Sequence, residues 1–456
     1  MILLLSVLLI GPARAETLAD ALVSAYNNSG LLEQNRALLR AADEDVAQVV
    51  SELRPILSWS ADVTSNFGRT KTSGFSDRSI SSDELSAGLS LDLLLYDFGR
   101  TKLRAEAAKE TVLATRETLR NIEQQVLLRA VTAYMNVRRN SELVSVRKNN
   151  LNLLQEELRA MRDRFEVGEV TRTDVSLAEA QLASARSGLA SAEGELSRAI
   201  EEFRRATGRA SGALREPSQF PKLPGSIQTA KNIAVQNHPN MLKAQFDVAA
   251  ADLTVIAAQA AMRPTVNLNA RLSAGEELGG SDFDRRGSVG VSLNGPIYKG
   301  GRLISAVRQA VAQRDARRGA LHSISREIKR DVGNAYARLR AARASREAGQ
   351  EQVRAARVAF EGISEEAKLG ARTTLDVLDA EQDLLDAQAS LIAAKADVIT
   401  AAYEVLATIG QLTTEDLKLG VQTYDPAAYY NLVKDAPAAL SPQGQKLDRV
   451  LRALGK

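Results

Sequence analysis

The chain contains no cysteine, only two histidines and a single tryptophan, and aromatic residues make up just 4% of its 456 positions. Without cysteine there can be no disulfide scaffold, thiolate-held zinc, iron–sulfur cluster or cysteine nucleophile. His238 and His322 lie far apart in no metal-ligand spacing, so neither a metal nor another cofactor is expected. Few large rings argue against one compact core of this size, because each ring buries so much area. Past the first residues no 18 apolar residues run together, so no transmembrane helix is expected. A net charge of +3 points to no charged partner, and no nucleic acid is expected. No grouping of nucleophile, base and oxyanion donors appears, so the chain does not read as an enzyme. Ala, Leu, Arg and Glu dominate instead, a usage that favours long helices and coiled coils.

Residues 1–15 pair a short apolar run, Met1 to Ile10, with Gly11-Pro-Ala-Arg-Ala15. The run is too short to span a bilayer, and a small-x-small site closes it, so a signal peptide ending at Ala15 is expected. The basic segment that usually opens such a peptide is missing.

Self-comparison uncovers a tandem duplication. Tyr96-Asp-Phe-Gly-Arg100 returns as Tyr298-Lys-Gly-Gly-Arg302, Tyr134 as Tyr336, Asp174-Val175 as Asp376-Val377 and Gly208 as Gly410, all 202 positions apart. Arg54-Pro55 returns as Arg263-Pro264 at an offset of 209, so seven extra residues fall between Pro55 and Tyr96. They are placed in a Gly/Ser-rich loop over 68–83, where added length costs little. Each copy reads helix, strand, strand, very long helix, helix. The boundaries are 16–210 for the first repeat, 211–225 for a linker, 226–412 for the second repeat and 413–456 for a tail.

After each tight turn the helix carries an unbroken 3-4 stripe: Val175, Ala178, Leu182, Ala185, Leu189, Ala192, Leu196, Ala199, Phe203, and then Val377, Ala380, Leu384, Ala387, Leu391, Ala394, Val398, Ala401, Val405. A 3.5-residue repeat of this kind specifies left-handed coiled-coil packing. The long helices, about 101–165 and 303–368, each span on the order of 100 Å at 1.5 Å per residue. An elongated soluble secreted coiled-coil protein would account for the helices, and it is the alternative of another class.

It leaves the strands unexplained. Leu57, Trp59, Ala61 and Val63 alternate with Ser58, Ser60, Asp62 and Thr64, and the same period of two recurs through 85–96, 264–273 and 288–298. Strands are therefore expected at about 56–66, 85–96, 264–273 and 288–298, with one apolar and one wet face. Four strands cannot close in lipid, since open edges leave backbone groups unpaired in hydrocarbon. A dimer gives a filled eight-stranded barrel and a trimer a twelve-stranded one with room for a lumen. The expectation is an α+β membrane protein whose homotrimer forms a 12-stranded β-barrel and a 12-helix coiled-coil tunnel. Trp59, Tyr96, Phe98 and Tyr298 mark either interface positions or strand-end packing, and the Gly99-Arg100 and Gly300-Gly301-Arg302 turns read as geometry.

The duplicated order, the two Tyr-x-x-Gly-Arg turns, Gly370-Ala-Arg-Thr-Thr-Leu-Asp-Val-Leu-Asp-Ala380, and a tail running Tyr424-Asp-Pro-Ala-Ala-Tyr-Tyr430 to Leu440-Ser-Pro-Gln-Gly444 resemble the TolC-like outer-membrane efflux proteins. The resemblance covers nearly the whole chain after residue 15. It implies a trimeric exit duct in the outer membrane of a Gram-negative bacterium, with a large periplasmic portion. Such a duct docks with a periplasmic membrane-fusion adaptor and an inner-membrane transporter of the ABC or RND type, in multidrug efflux or type I secretion.

Two features at the helical turns carry mechanism. Gly168 and Gly370 allow the left-handed conformation that stops a helix, and Thr171 and Thr373 can cap the next. By resemblance these four also form the adaptor-docking tips. Asp376, Asp379, Asp383 and Asp386 follow 3-4-3 spacing on one helix face, where the first copy has Asp174, Leu177, Gln181 and Ser184. In a trimer such a stripe would supply rings of carboxylates that concentrate cations. The resemblance further implies that Asp174 and Arg372 lock the closed end and that Asp376 and Asp379 ring the constriction, with Asp383 and Asp386 extending it. Ala367 stands where some members have a tyrosine that would add a hydrogen bond to the lock.

Overall fold

The computed structural model describes residues 16–70, 78–217, 220–278, 283–439 and 441–454; the expected signal peptide at 1–15 lies outside them. In chain order the elements are α1 (Leu18–Asn28), α2 (Gly30–Ser51), β1 (Ile56–Thr70), β2 (Arg78–Tyr96), α3 (Arg100–Glu166), α4 (Arg172–Thr207), α5 (Ile227–Asn237), α6 (Pro239–Ala260), β3 (Thr265–Glu277), β4 (Phe283–Asn294), α7 (Arg302–Lys368), α8 (Thr374–Thr408), α9 (Pro426–Val433) and α10 (Pro442–Leu454). The repeat order holds, with one refinement: each copy opens on two helices rather than one. Ser29 and His238 take extended backbone angles at these breaks. His238 precedes Pro239, whose ring disfavours the α region for the residue before it, and the Ser29 hydroxyl accepts from the Leu32 amide to start the next helix.

The chain divides into two compact units. One comprises Arg36–Glu117, Lys243–Ser323 and Asp425–Lys456; the other comprises Met1–Asn35, Thr118–Leu242 and Ile324–Tyr424.

The first of these holds the sheet, four antiparallel strands in the order β1-β2-β3-β4. Its register lines up residues of like polarity across the strands. Trp59 faces Leu89, Leu89 faces Leu272, and Leu272 faces Gly287. Leu57, Leu91, Ala270 and Val289 form the next such row. On the other face Asn269 Nδ2 donates to Asp92 Oδ1 at 2.6 Å and Ser292 Oγ donates to Asn269 Oδ1 at 3.0 Å. One face is thus apolar and the other hydrogen-bonded, as the alternation requires. Among the described residues nothing covers the apolar face: Trp59 is 78% exposed and Val289 77%.

Strand limits differ from expectation in both copies, and β3 runs on to Glu277 instead of ending near 273. The segment read as a loop over 68–83 pairs instead, with Thr64 to Thr70 continuing the ladder against Glu84 to Arg78. Loss of alternation at Val63 and Leu85 marks where the apolar face ends, not where backbone pairing ends. In the second copy β4 starts at Phe283 and stops at Asn294 instead of running over 288–298. Pro296, which has no N–H to give a ladder, follows at once.

At the strand-to-helix turn of the first copy, buried Asp97 accepts from the Gly99 amide at 3.1 Å and the Thr101 amide at 2.6 Å. Lys299 stands at the equivalent place in the second copy, and there two consecutive glycines, Gly300 and Gly301, take positive φ. Tyr96 packs on Phe98 with ring centroids 4.8 Å apart, and both Tyr96 and Tyr298 are exposed. The tail folds on α2: Tyr429 and Val433 of α9 pack against Ala47, and the Tyr429 hydroxyl donates to Glu44 at 2.5 Å.

The second unit holds the coiled coil, and every member of both 3-4 stripes is buried or half-buried. The repeated tyrosines gain a role here. Tyr134 donates its hydroxyl to the Glu16 carbonyl at 2.9 Å and to the Arg215 carbonyl, and Tyr336 donates to the Pro224 carbonyl at 2.9 Å. Each long helix therefore holds one end of the 211–225 segment. Gly208 and Gly410, also repeated, end α4 and α8 with positive φ. A side chain on Gly208 would meet Asn28 at the end of α1, and one on Gly410 would meet the Asn237–His238 backbone at the end of α5. Burial pushes the His238 imidazole below its usual range, and its Nδ1 accepts from the Asn240 amide, a packing role.

Candidate functional site: the paired hairpin tips

The two tips are built alike. α3 ends at Glu166, and Gly168, at φ 81°, lets the Glu169 amide reach back to the Arg164 carbonyl at 2.9 Å. α7 ends at Lys368, and Gly370, at φ 77°, lets the Ala371 amide reach the Glu366 carbonyl at 2.9 Å. Both closures satisfy carbonyls that a helix end leaves open. Among the described residues nothing lies within 4 Å of a side-chain carbon placed on either glycine. The glycines are needed for backbone angle, and the space above them is free. Val167 and Leu369 flank them, 72% and 86% exposed.

Thr171 and Thr373 cap α4 and α8 in matching capping boxes. Asp174 Oδ2 accepts from the Thr171 amide at 2.9 Å and hydroxyl at 2.7 Å; Asp376 Oδ2 accepts from the Thr373 amide at 3.0 Å and hydroxyl at 2.9 Å. Such reciprocal bonds satisfy free donors at a helix start. They hold both carboxyls below their ordinary range, the Thr171 hydroxyl leading for Asp174 and the Thr373 amide for Asp376. The Thr374 hydroxyl, from the other tip, adds to the effect on Asp174. The Thr-x-x-Asp spacing stands in the sequence at both sites, yet the capping duty of the two aspartates was not anticipated.

The charges expected to lock the end are placed differently within one chain. Arg372 Nε donates to Glu366 Oε2 at 2.8 Å, on its own hairpin, while Asp174 is engaged by its cap. Asp379, Asp383 and Asp386 are exposed, and Asp386 accepts from Gln382 at 3.0 Å.

A second stripe on α8 also went unanticipated. Leu378, Leu385, Ile392, Ile399 and Leu406 recur every seven residues and all are buried. Leu378 enters the cluster of Leu154, Leu158, Ala178 and Leu182, which joins the two hairpins near their tips. Further from the tip, Ile392 and Ile399 line a small cleft with Met135 and Arg139 of α3. α8 is thus apolar on its own hairpin's seam and again toward the other hairpin.

The family described as outer membrane efflux protein matches residues 21–209 and 231–411, both repeats. The chain belongs to that family. The outer membrane efflux protein BepC of Brucella suis biovar 1 is 37% identical over 425 residues, covering 93% of this chain and 91% of BepC. The outer membrane protein TolC of Escherichia coli is 26% identical over 386 residues, covering 81% of this chain and 77% of TolC. Among solved structures, the CmeC outer membrane channel of Campylobacter jejuni superposes with a TM-score of 0.76 at 17% identity, over 91% of this chain and 89% of CmeC. Membership of this family places the protein in the outer membrane and its work in efflux and secretion.

Proposed function

We propose that three copies of this chain form a passive exit duct, with twelve strands closing a barrel in the outer membrane and twelve helices continuing it as a periplasmic tunnel. The observation that carries this reading is the sheet. Its apolar face is exposed, and β1 and β4 each pair on one side only among the described residues. Such a sheet reaches a stable state in lipid only by pairing its edges with copies of itself. A soluble rod would leave that face in water.

The domain limits 16–210, 211–225, 226–412 and 413–456 serve as working boundaries. The tips around Gly168, Thr171, Gly370 and Thr373 form the docking surface for a periplasmic adaptor, through which an inner-membrane transporter of the ABC or RND type delivers cargo. Free space above both glycines and the exposed Val167 and Leu369 support this. Asp174 and Arg372 act as a lock between neighbouring protomers, since within one protomer each is engaged locally. Asp376 and Asp379 ring the aperture, with Asp383 and Asp386 behind them. The test is the mass of the detergent-extracted assembly by native mass spectrometry. Three chain masses are expected; one or two would overturn the closure.

A further inference from the structure

α8 buries fifteen residues, and one of them, Glu381, is charged. Glu381 is 5% exposed. Asn150 Nδ2, from α3 of the other hairpin, donates to its Oε1 at 2.5 Å, and Oε2 has no partner. Glu157 lies seven residues beyond Asn150, on the same face of α3, and is half-buried.

The duplication shows that this arrangement is not imposed by the fold. The first-copy counterpart of Glu381 is Glu179, which pairs with Arg162 at 2.6 Å in the open. Ser364 occupies the place of Arg162 in the second copy, so Glu381 has no such cation and turns inward. An uncompensated carboxylate in an apolar seam is strongly disfavoured and takes up a proton instead. Burial, then the charge of Glu157, pushes the Glu381 carboxyl up to about 8, and burial pushes Glu157 up as well.

Among the described residues the other elements packed here bring no compensating charge. From α4, Gln181 meets Gln382 side chain to side chain at 3.4 Å, and Arg186 is exposed. α7 meets α8 where Gly349 sits against Leu391, and Arg354, Arg357 and Glu361, further along it, are exposed, Arg354 paired with Glu351.

We propose that Glu381 is a proton-binding clasp: with Asn150 on Oε1 and a proton on Oε2 it seats α8 against α3, and loss of that proton loosens the second hairpin from the first. The folded carboxyl holds its proton more tightly than the free chain does. The packing therefore gains stability as pH falls below about 8, has gained it in full below the ordinary carboxyl value of 4.5, and loses it as pH rises through about 8. Between pH 7 and pH 9.5 the packed arrangement becomes less favoured by about tenfold.

Hydrogen–deuterium exchange of the full chain in detergent, normalised to the intrinsic rate at each pH, reads this through the amides of α8. Wild type is expected to lose protection about tenfold from pH 7 to pH 9.5. Glu381→Gln, which cannot ionise, holds its protection constant, and Glu157→Gln moves the wild-type midpoint to lower pH by removing the like charge. A flat wild-type profile, a Glu381→Gln profile that falls with wild type, or an unmoved midpoint in Glu157→Gln overturns the clasp. The clasp rests on hairpin packing alone, whereas any effect on flow rests on the proposed gate. Bilayer conductance at the same two pH values separates them: protection that changes while current does not keeps the clasp and means that its loosening does not reach the gate.

Discussion

α4 and α8 descend from one ancestral helix and now face different surroundings. At the positions where α8 buries Leu378, Leu385, Ile392, Ile399 and Leu406, α4 has Ser176, Ala183, Ala190, Ser197 and Arg204, all exposed. Both keep the 3-4 seam toward their own long helix. Only α8 has acquired a second apolar stripe, and that stripe is where it meets the other hairpin. Duplication supplied two like hairpins; the second stripe seats one of them against the other within a chain. The acidic residues follow the same division, since Asp379, Asp383 and Asp386 replace Leu177, Gln181 and Ser184.

The largest expected effect tests that division directly. Leu385→Ala removes a side chain only 6% exposed and should cost about 2–4 kcal/mol. The matched change in α4, Ala183→Ser, falls on an exposed position and should stay within about 0.5 kcal/mol. Thermal unfolding of the two variants in detergent checks the contrast. Equal losses would mean that the helices are packed alike in the assembly and that the division holds only within one chain.

The sequence displayed the repeat, the strands' faces and both hairpin seams because each rests on a local period that pattern reading can see. Leu378 to Leu406 also has a period of seven, but it lies beside a stronger stripe and merges with it into a broadly apolar helix. Only the comparison with Ser176 to Arg204 separates the two. The strands' outer limits were hidden for another reason: Ser, Thr, Asp and Gly read as loop, yet their backbones pair as well as any. At the tips, glycine and threonine announced the turn, and the Thr-x-x-Asp boxes were present at 171–174 and 373–376. The two aspartates cap their helices through that spacing, a duty separate from their charge at the tip. Glu381 gave no signal, because a glutamate on a helix is ordinarily exposed and only its neighbours' identities bury it.

A smaller effect separates glycines kept for close approach from glycines kept for angle alone. Gly410 has φ 81°, and a side chain there would stand 2.9 Å from His238 Cα and 3.0 Å from the Asn237 carbonyl oxygen. Gly370 has φ 77°, and among the described residues nothing lies within 4 Å of a side-chain carbon placed there. Gly410→Ala should therefore cost about 1–3 kcal/mol, and Gly370→Ala only the left-handed strain of about 1 kcal/mol. Melting temperatures in detergent report both. If the tips dock an adaptor as proposed, the order inverts for a second readout, adaptor capture, which a bulky residue at Gly370 should abolish and Gly410→Ala should leave intact.

The smallest effect concerns a cation of the second tip that has no basic counterpart in the first: Val170 stands where Arg372 does. Solvent-exposed ion pairs are weak, so if Arg372 of one protomer holds Asp174 of the next, each link is easily broken. Arg372→Ala should raise the conductance of the reconstituted duct by roughly twofold to fivefold. Arg372→Lys should stay closer to wild type, keeping the charge but not the planar fork. Glu366→Gln supplies the control, because it releases Arg372 from its partner on its own hairpin. If the lock forms between protomers, freeing the guanidinium strengthens it and conductance falls. Should Glu366→Gln instead open the duct as Arg372→Ala does, the pair that matters is the one inside the hairpin, and the tip is closed by its own turn rather than by its neighbour.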